Sequence, residues 1–547
     1  PALRAFFEQF VRHNRLSSGG FVIDGQTLSL ADITVPILYF VGENDEFARP
    51  PSVRAIREAS PHSQVYEVSQ RTGHFGLVVG SKSMENTWPT VQQWLRWHDK
   101  TGPKPSMLSQ ETQSAFREVP LEDVIEANFE DVGYNVRLMY DTARSTADGV
   151  RRRLGGMSRT LSAMFDNMRW QVPRLAELDR VQADTRINVG LSLDKQAASI
   201  GDATFFLWQG RAHSYADANQ RVNHVVRGLI QCGVRPGQRV GVLMDGRPTY
   251  LSLVAALSRL GAVAVLLEPD GRRVALDRAL EMGKVQVLIT DPERCERGRS
   301  LFDGPVLVLG GGGGTRTLID GVVDMEAIDP TGVQVPDWYR PNPGRAADLA
   351  MIIFTAGRGE SPRAARITNR RWAVAAYGAA AASTLTSKDT VLCCMPLHHA
   401  AGLLVSVGGA LVGGARLALS EGEFSPDTFW RDARRYGVTV VYYAGEMCRK
   451  LVDAPSTVAD AMHPIKLFAG SGMRQDVWRR MKQRFGNVGI LEFYATTEGT
   501  AVLANVSGQK VGSLGRPLPG SSDMAVVAYD FEAERFVTDE NDQLVRC

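Results

Sequence analysis

Residues 215–233, YADANQRVNHVVRGLIQCG, run into QRVGVLM (238–244); TYLSLVAALSRLG (249–261) runs into AVAVLLEP (262–269), and RALEMGK (278–284) into VQVLIT (285–290). The first member of each pair spaces its apolar residues as a helix does. The second is a short apolar run rich in β-branched residues, the pattern of a parallel strand buried on both faces. Repeated alternation of this kind, which continues through residues 189–547, predicts an α/β fold. No internal repeat is visible. VLVLGGGGGT (306–315) ends a strand in glycines, but Thr315 and Arg316 occupy the third glycine position in the available registers of G-x-G-x-x-G, so a dinucleotide fingerprint is rejected and a surface turn expected.

The 547 residues leave room for about three or four domains with large cores. With 22% charged and 44% hydrophobic residues, the composition excludes a wholly disordered, collagenous or coiled-coil chain. A net charge of +2 gives no broad basic field for nucleic acid, so any polyanion site must be local. Cys232, Cys295, Cys393, Cys394, Cys448 and Cys547 form neither a disulfide framework nor a C-x-x-C pair, which fits a reducing, cytoplasmic setting. The apolar stretch Ala400–Ala415 carries five glycines and is shorter than the roughly 20 residues of a spanning helix. The chain opens on PALRAFFEQF without an initiating Met or a signal-peptide pattern and closes on DENDQLVRC, which reads as a piece of a longer protein.

Upstream, DITVPILYFVG (32–42) reads as a buried strand with Asp45 just beyond its end. A short helix follows, then SQVYEVSQRTGHFGLVVG (63–80), a second strand whose following loop carries His74. WPTVQQWLRWHD (88–99) reads as an amphipathic closing helix. The acid after a late strand and the histidine after the last strand follow the order of an α/β-hydrolase triad. Residues 1–98 resemble the C-terminal part of α/β-hydrolases, particularly lipase-like and poly(hydroxyalkanoate) synthase-like members. The resemblance implies that Asp45 orients His74 as the base for a nucleophile. No G-x-S-x-G or G-x-C-x-G occurs in the chain, which places that nucleophile upstream of Pro1. The alternative is a strand-end turn aspartate beside a hydrogen-bonded loop histidine.

Residues 99–188 turn polar and Arg-rich, as a helical linker. Val150, Leu154, Met157, Leu161, Met164, Phe165 and Met168 recur at helical spacing beside Arg151, Arg152, Arg153 and Arg159. Such a stretch packs between domains or lies on an anionic membrane.

Four stretches carry a second resemblance: MPLHHAAGLLVSVGGALVGGA (395–415), FWRDARRYGVTVVYYAGEMCRKLVDAP (429–455), FAGSGMRQDVWRRMKQRFG (468–486) and LEFYATTEGTAVLANVSGQKVGSLGRP (491–517). In order and spacing they resemble adenylate-forming enzymes, most closely the very-long-chain acyl-CoA synthetases also called fatty acid transport proteins. The resemblance implies that residues 189–547 form the large N-terminal domain of such an enzyme, cut short at its C-terminus and lacking the small domain. It further implies carboxylate attack on the α-phosphate of ATP, with Mg²⁺, followed by transfer of the acyl group to coenzyme A. Glu498 matches the family's Mg²⁺ carboxylate, Thr497 a hydroxyl on the α-phosphate, and Tyr494 with Gly470, Ser471 and Gly472 the adenine pocket. His399 matches the residue beside the reacting carboxylate, or else is a partly buried core histidine. The glycines from Gly402 to Gly414 leave room for an acyl channel or for close helix packing.

The phosphate loop departs from the family pattern. In FTAGRGESPRAA (354–365), Thr355, Gly357 and Pro362 persist, but Ala356, Arg358 and Gly359 replace hydroxyls, Glu360 replaces a glycine and Arg363 the lysine. A carboxylate about 5 Å from one phosphate charge costs on the order of 3 kcal/mol at an effective dielectric near 20. Either Arg358 and Arg363 offset it, or Glu360 points into solvent. The expectation is a fused lipid enzyme that resembles bacterial bifunctional acyl-CoA synthetase/lipase proteins. Its ligands would be a long-chain fatty acid, ATP, CoA and, at the hydrolase half, an acylglycerol or other ester. It would sit in the cytoplasm or peripherally at a membrane or lipid-droplet surface. The rival readings are a module that binds lipid or nucleotide without catalysis and a membrane-surface protein.

Overall fold

The computed structural model describes residues 6–108, 174, 178, 180–312, 316–356, 362–457, 460, 462–486, 488–498, 502–505, 508, 510–517, 525–533 and 535–547. The Arg-rich stretch with Arg151–Arg153, and Gly357 and Arg358 of the phosphate loop, lie outside the described residues.

In chain order the strands are β1 (Phe21–Ile23), β2 (Gln26–Leu28), β3 (Ile37–Gly42), β4 (Val65–Gln70), β5 (Thr204–Trp208), β6 (Arg211–Ser214), β7 (Arg239–Leu243), β8 (Val263–Leu266), β9 (Val287–Thr290), β10 (Val306–Val308), β11 (Val322–Asp324), β12 (Leu349–Thr355), β13 (Arg363–Thr368), β14 (Thr390–Cys393), β15 (Arg416–Leu419), β16 (Val440–Ala444), β17 (Leu467–Ser471), β18 (Gly489–Ala495), β19 (Val502–Asn505) and β20 (Arg516–Pro517). One sheet runs β1-β2-β6-β5-β15-β14-β16-β17-β18-β19-β20, a second β11-β10-β9-β7-β8-β12-β13, and two pairs stand apart, β3 with β4 and, near the C-terminus, the further strands Tyr529–Asp530 and Arg535–Phe536. The strands predicted from QRVGVLM, AVAVLLEP and VQVLIT are β7, β8 and β9. They are parallel and lie almost wholly inside, so an unbroken apolar run suits them.

Both sheets of the large unit are covered on both faces. Between them lies a helical layer that includes Val189–Ile200, Tyr215–Gln231, Pro248–Leu260 and Asn369–Ala382; its core joins Phe206, Leu229, Leu253, Leu266, Ile353 and Trp372. The outer face of the larger sheet packs against Pro426–Tyr436, Gly445–Asp453 and Gln475–Phe485 through Phe429, Leu451, Phe468 and Trp478. The outer face of the smaller sheet packs against Arg273–Gly283 through Leu276, Leu280 and Val265. Local signals agree with these layers. Ser214 and Asp217 form a reciprocal capping box at the start of Tyr215–Gln231, and Gly261, in the left-handed region, closes Pro248–Leu260.

The glycine-rich segment 402–414 packs tightly. A Cβ on Gly402 would lie 2.2 Å from the Pro396 carbonyl oxygen, one on Gly408 2.8 Å from the Ala376 Cβ, and one on Gly413 2.8 Å from the Leu385 Cβ. These glycines let the segment press against the loop before it and the helix Asn369–Ala382. Beside it, Leu403, Val407 and Leu411 line an apolar cavity of about 30 Å³ with Phe205, Phe206 and Leu251.

The hairpin β1–β2 belongs by sequence to the first hundred residues, yet it lies on the edge of the large unit's sheet. Thr27 N–H donates to Gly210 O (2.7 Å), Ala212 N–H to Gly25 O (2.7 Å) and Gly20 N–H to Arg435 O (2.9 Å). Buried Arg15 donates to Lys388 O (2.7 Å), and buried Arg416 to Gly20 O (2.7 Å). Gly19, at φ +94°, sits where any Cβ would fall 2.0 Å from Arg434 O. Partners 187 residues away (Gly25 to Ala212) and 415 residues away (Gly20 to Arg435) leave no periodicity in the sequence to betray them.

Candidate functional site

The parallel strands of both sheets end at loops that carry polar residues, the position where open α/β sheets bind ligands. The β12–β13 hairpin brings Thr355 and Arg363 opposite each other in register. The Thr355 hydroxyl donates to Glu498 Oε1 at 2.5 Å, which ties the end of β12 in the smaller sheet to the loop after β18 in the larger. Arg371, in the first turn of Asn369–Ala382, donates from Nη2 to Thr496 O at 2.7 Å, two residues before Glu498. The Glu498 carboxyl is held below its ordinary range, first by the Thr355 hydroxyl and further by the charges of Arg363 and Arg371. Thr497 lies between Thr496 and Glu498, partly exposed.

A second cluster surrounds Gly470, Ser471 and Gly472. β17 lies between β16 and β18, with Gly470 opposite Tyr443 on one side and Glu492 on the other. A Cβ on Gly470 would meet Tyr443 O at 2.2 Å, and Gly472 holds φ +85°. Both glycines are therefore demanded by backbone geometry, whatever ligand the turn takes. The turn is pinned by Glu492, 2% exposed, which accepts from Gly472 N–H (2.5 Å), Met473 N–H (3.2 Å) and the Tyr443 hydroxyl. Burial pushes the Glu492 carboxyl up, against the pull of those hydrogen bonds. Tyr494, two residues on, is 42% exposed.

His399 belongs to a third cluster, on the loop after β14. Its ring meets His398 edge-on with centroids 4.6 Å apart. Desolvation lowers the His399 imidazole while Glu268, after β8, opposes the shift. His398 is pushed down to about 4, first by burial and then by His399, with Asp270 opposing.

In the N-terminal unit, β3 and β4 are parallel, and Asp45 and His74 follow their ends. His74 Nδ1 and Asp45 Oδ2 are 2.9 Å apart, and Asp45 Oδ1 accepts from Phe47 N–H (2.9 Å) and Ala48 N–H (2.8 Å). Burial works against ionisation of Asp45, but the donors Ala48, His74 and Phe47 outweigh it and hold the carboxyl below its ordinary range. Phe47 and Phe75 flank His74 at 5.7 and 5.6 Å and stand 81% and 71% exposed.

Thus Thr355, Arg363 and Glu498 come together, as do Asp45 and His74, while His399 and the Gly470–Gly472 turn form clusters of their own. Arg371 and Glu492 were missed by sequence reasoning. Glu492 carried a signal: a carboxylate inside an otherwise apolar strand must find donors. Arg371 carried none, because a basic residue in a first helical turn is usually a solvated one.

Glu498 offers an exposed carboxylate with a hydroxyl beside it. Such a pair fits Mg²⁺, which takes one or two carboxylates together with phosphate oxygens. Among the described residues no group of three or more His, Cys, Asp or Glu is placed to hold a metal ion. A cation at Glu498 would thus take its remaining oxygens from a ligand and water. No described helix is long and apolar enough to cross a membrane.

Layered sheets with these strand-end clusters define the large domain of an adenylate-forming α/β protein. The chain belongs to the AMP-binding enzyme family, which matches residues 193–541. It is 32% identical over 370 residues to long-chain fatty acid transport protein 2 of Rattus norvegicus, across 64% of this chain and 57% of that one. It is 29% identical over 362 residues to the medium/long-chain-fatty-acid–CoA ligase FadD6 of Mycobacterium tuberculosis, across 64% of this chain and 56% of that one. The chain thus spans a little more than half the length of these curated relatives. Among solved structures, apo MbtA of Mycobacterium smegmatis superposes with a TM-score of 0.56 at 19% identity, over 68% of this chain and 67% of that one. ATP-bound MatB of Rhodopseudomonas palustris gives 0.53 at 20% identity, over 66% and 68%. These structural likenesses establish the fold.

Proposed function

We propose that the large unit activates a long-chain fatty acid with ATP, forming an acyl-adenylate that is then captured by coenzyme A. The observation that carries this reading is the Thr355–Glu498 hydrogen bond, which closes the two sheets around an ionised, exposed carboxylate flanked by Arg363 and Arg371. That arrangement combines a metal-binding oxygen with fixed positive charge, the two things a triphosphate requires. Bound Mg²⁺ would neutralise phosphate charge in the transition state. The chain's own part is to hold Glu498 deprotonated, to set Thr497 beside the α-phosphate, and to seat the adenine between Tyr494 and the Gly470–Gly472 turn. His399, kept neutral at pH 7, is suited to accept or donate a hydrogen bond at the fatty carboxylate rather than to form an ion pair with it. Two relatives whose names include long-chain fatty acids support the choice of substrate. The test is ATP-dependent trapping of the acyl-adenylate as a hydroxamate with palmitate. Wild-type signal that Glu498→Ala abolishes is expected, and equal signal from both proteins overturns the reading.

The Asp45–His74 geometry favours a second activity, ester hydrolysis or acyl transfer, wherever a nucleophile is supplied to it. Asp45 would fix the imidazole tautomer, and His74 would deprotonate a Ser or Cys supplied from outside these residues. The exposed Phe47 and Phe75 suit a lipid ester. This chain alone is expected to show no ester turnover, and activity that disappears in His74→Ala would refute the assignment of the nucleophile.

A further inference from the structure

We propose that Gln9 is an edge guard: its side-chain amide stands in for a neighbouring strand along β1 and stops a second copy of this chain from adding there. The role is independent of the reactions assigned above.

Three observations carry it. The first is position. Among the described strands β1 is the outermost of the larger sheet and pairs only with β2, so one side of its backbone has no strand beside it. The second is the bond pattern. Gln9 Nε2 donates to Val22 O at 3.0 Å, and Gln9 Oε1 accepts from Val22 N–H at 2.7 Å. Val22 lies opposite Thr27, whose own N–H turns away to Gly210 O, so the backbone groups of this middle residue point outward and not into the hairpin. A carboxamide carries the same donor and acceptor as a peptide group, and here it occupies both groups of Val22 as a partner strand would. The third is fixation. Phe10, next to Gln9 in the short helical turn Phe7–Arg12, packs edge-on against Phe21 with ring centroids 6.5 Å apart, which holds the turn to the hairpin. Without Gln9 the strand would offer an unpaired N–H and C=O on an open edge, beside the exposed Ile23 and Leu28. That pair of groups is self-complementary. About a two-fold axis, Val22 of each copy can exchange both bonds with Val22 of the other in an antiparallel pair. The opposite end of the sheet is closed by other means: β20 ends in Pro517, which has no N–H to give.

The experiment is sedimentation velocity of the 547-residue chain over a concentration series, with amide exchange across Phe21–Leu28 read by mass spectrometry, for wild type, Gln9→Ala and the double variant Gln9→Ala with Val22→Pro. Gln9→Met, which keeps the stem and loses both polar atoms, takes the place of Gln9→Ala if the alanine variant does not fold. The expected result is that Gln9→Ala doubles the wild-type mass as concentration rises. Its hairpin should exchange about tenfold faster than wild type when dilute and slow again as the copies associate. Val22→Pro removes the outward N–H and should return the double variant to the wild-type mass. Equal masses for wild type and the single Gln9 variants up to about 100 µM overturn the proposal, because pairing too weak to form there needs no guard. Association that persists in the double variant also overturns it, since the contact would then not run through Val22.

Discussion

The two units each place a carboxylate just past the end of a parallel strand, Asp45 after β3 and Glu498 after β18, and each holds it ionised by different means. Asp45 is buried and its oxygens are occupied by two backbone N–H groups and the His74 ring. Glu498 is exposed, is held below its ordinary range first by one hydroxyl and then by its own backbone N–H, and takes a further pull from guanidinium charge. A carboxylate whose partners are internal can only orient a neighbour. One left open to solvent can take a metal and its ligands. Glu492 is the contrasting case inside the large unit: there burial outweighs the hydrogen bonds the carboxyl accepts, so it is pushed up instead of down.

The sharpest way to break this comparison is Glu492→Ala. It strands the Gly472 and Met473 N–H groups and the Tyr443 hydroxyl, and at about 1–3 kcal/mol for each buried unpaired group the loss should reach about 3–9 kcal/mol in chemical denaturation. A loss below about 1 kcal/mol would mean that water reaches the turn. Glu498→Gln should do the reverse. Acyl-adenylate trapping is expected to fall about a hundredfold, roughly 2.7 kcal/mol of barrier, while the thermal midpoint stays within about 2 °C of wild type. A matching fall in stability would show that the carboxylate is structural.

Arg15→Ala tests the joint between the regions. Loss of the bond to Lys388 O should cost about 1–3 kcal/mol and speed amide exchange in Phe21–Leu28, read by mass spectrometry. Unchanged exchange there would detach the hairpin from the sheet in solution. The smallest effects concern pH. Asp45 has a depressed folded-state pKa, so its contribution is present above the unfolded value near 4 and lost as pH falls through the folded one. Glu492 has a raised pKa, so its contribution is present below the unfolded value and lost as pH rises through the folded one. Denaturation between pH 3 and 6 should therefore show a weaker gain with pH in Asp45→Asn and a steeper gain in Glu492→Gln than in wild type. Equal slopes in all three proteins would reject both electrostatic accounts.

Much of this was legible in advance because it is local. The alternation at 215–290 reads directly as the helices and β7, β8 and β9, and strand ends mark where Asp45, His74, Thr355 and Glu498 sit. What stayed hidden depends on which strands become neighbours. Glu492 has meaning only once β16, β17 and β18 lie side by side, and Arg371 only once the smaller sheet's hairpin meets the larger sheet's last parallel strand. The glycines of 402–414 left channel and packing open, since the sequence does not reveal that Ala376 and Leu385 press against them.

The hairpin Phe21–Leu28 carries a practical consequence. It shields the rim of β6, and with it the buried guanidinium of Arg416, so dissecting the polypeptide at its Arg-rich middle would bare unsatisfied backbone amides on the large unit. Such a truncation invites strand-to-strand self-association, and a soluble, separately expressed large unit should need the first thirty residues supplied back in trans.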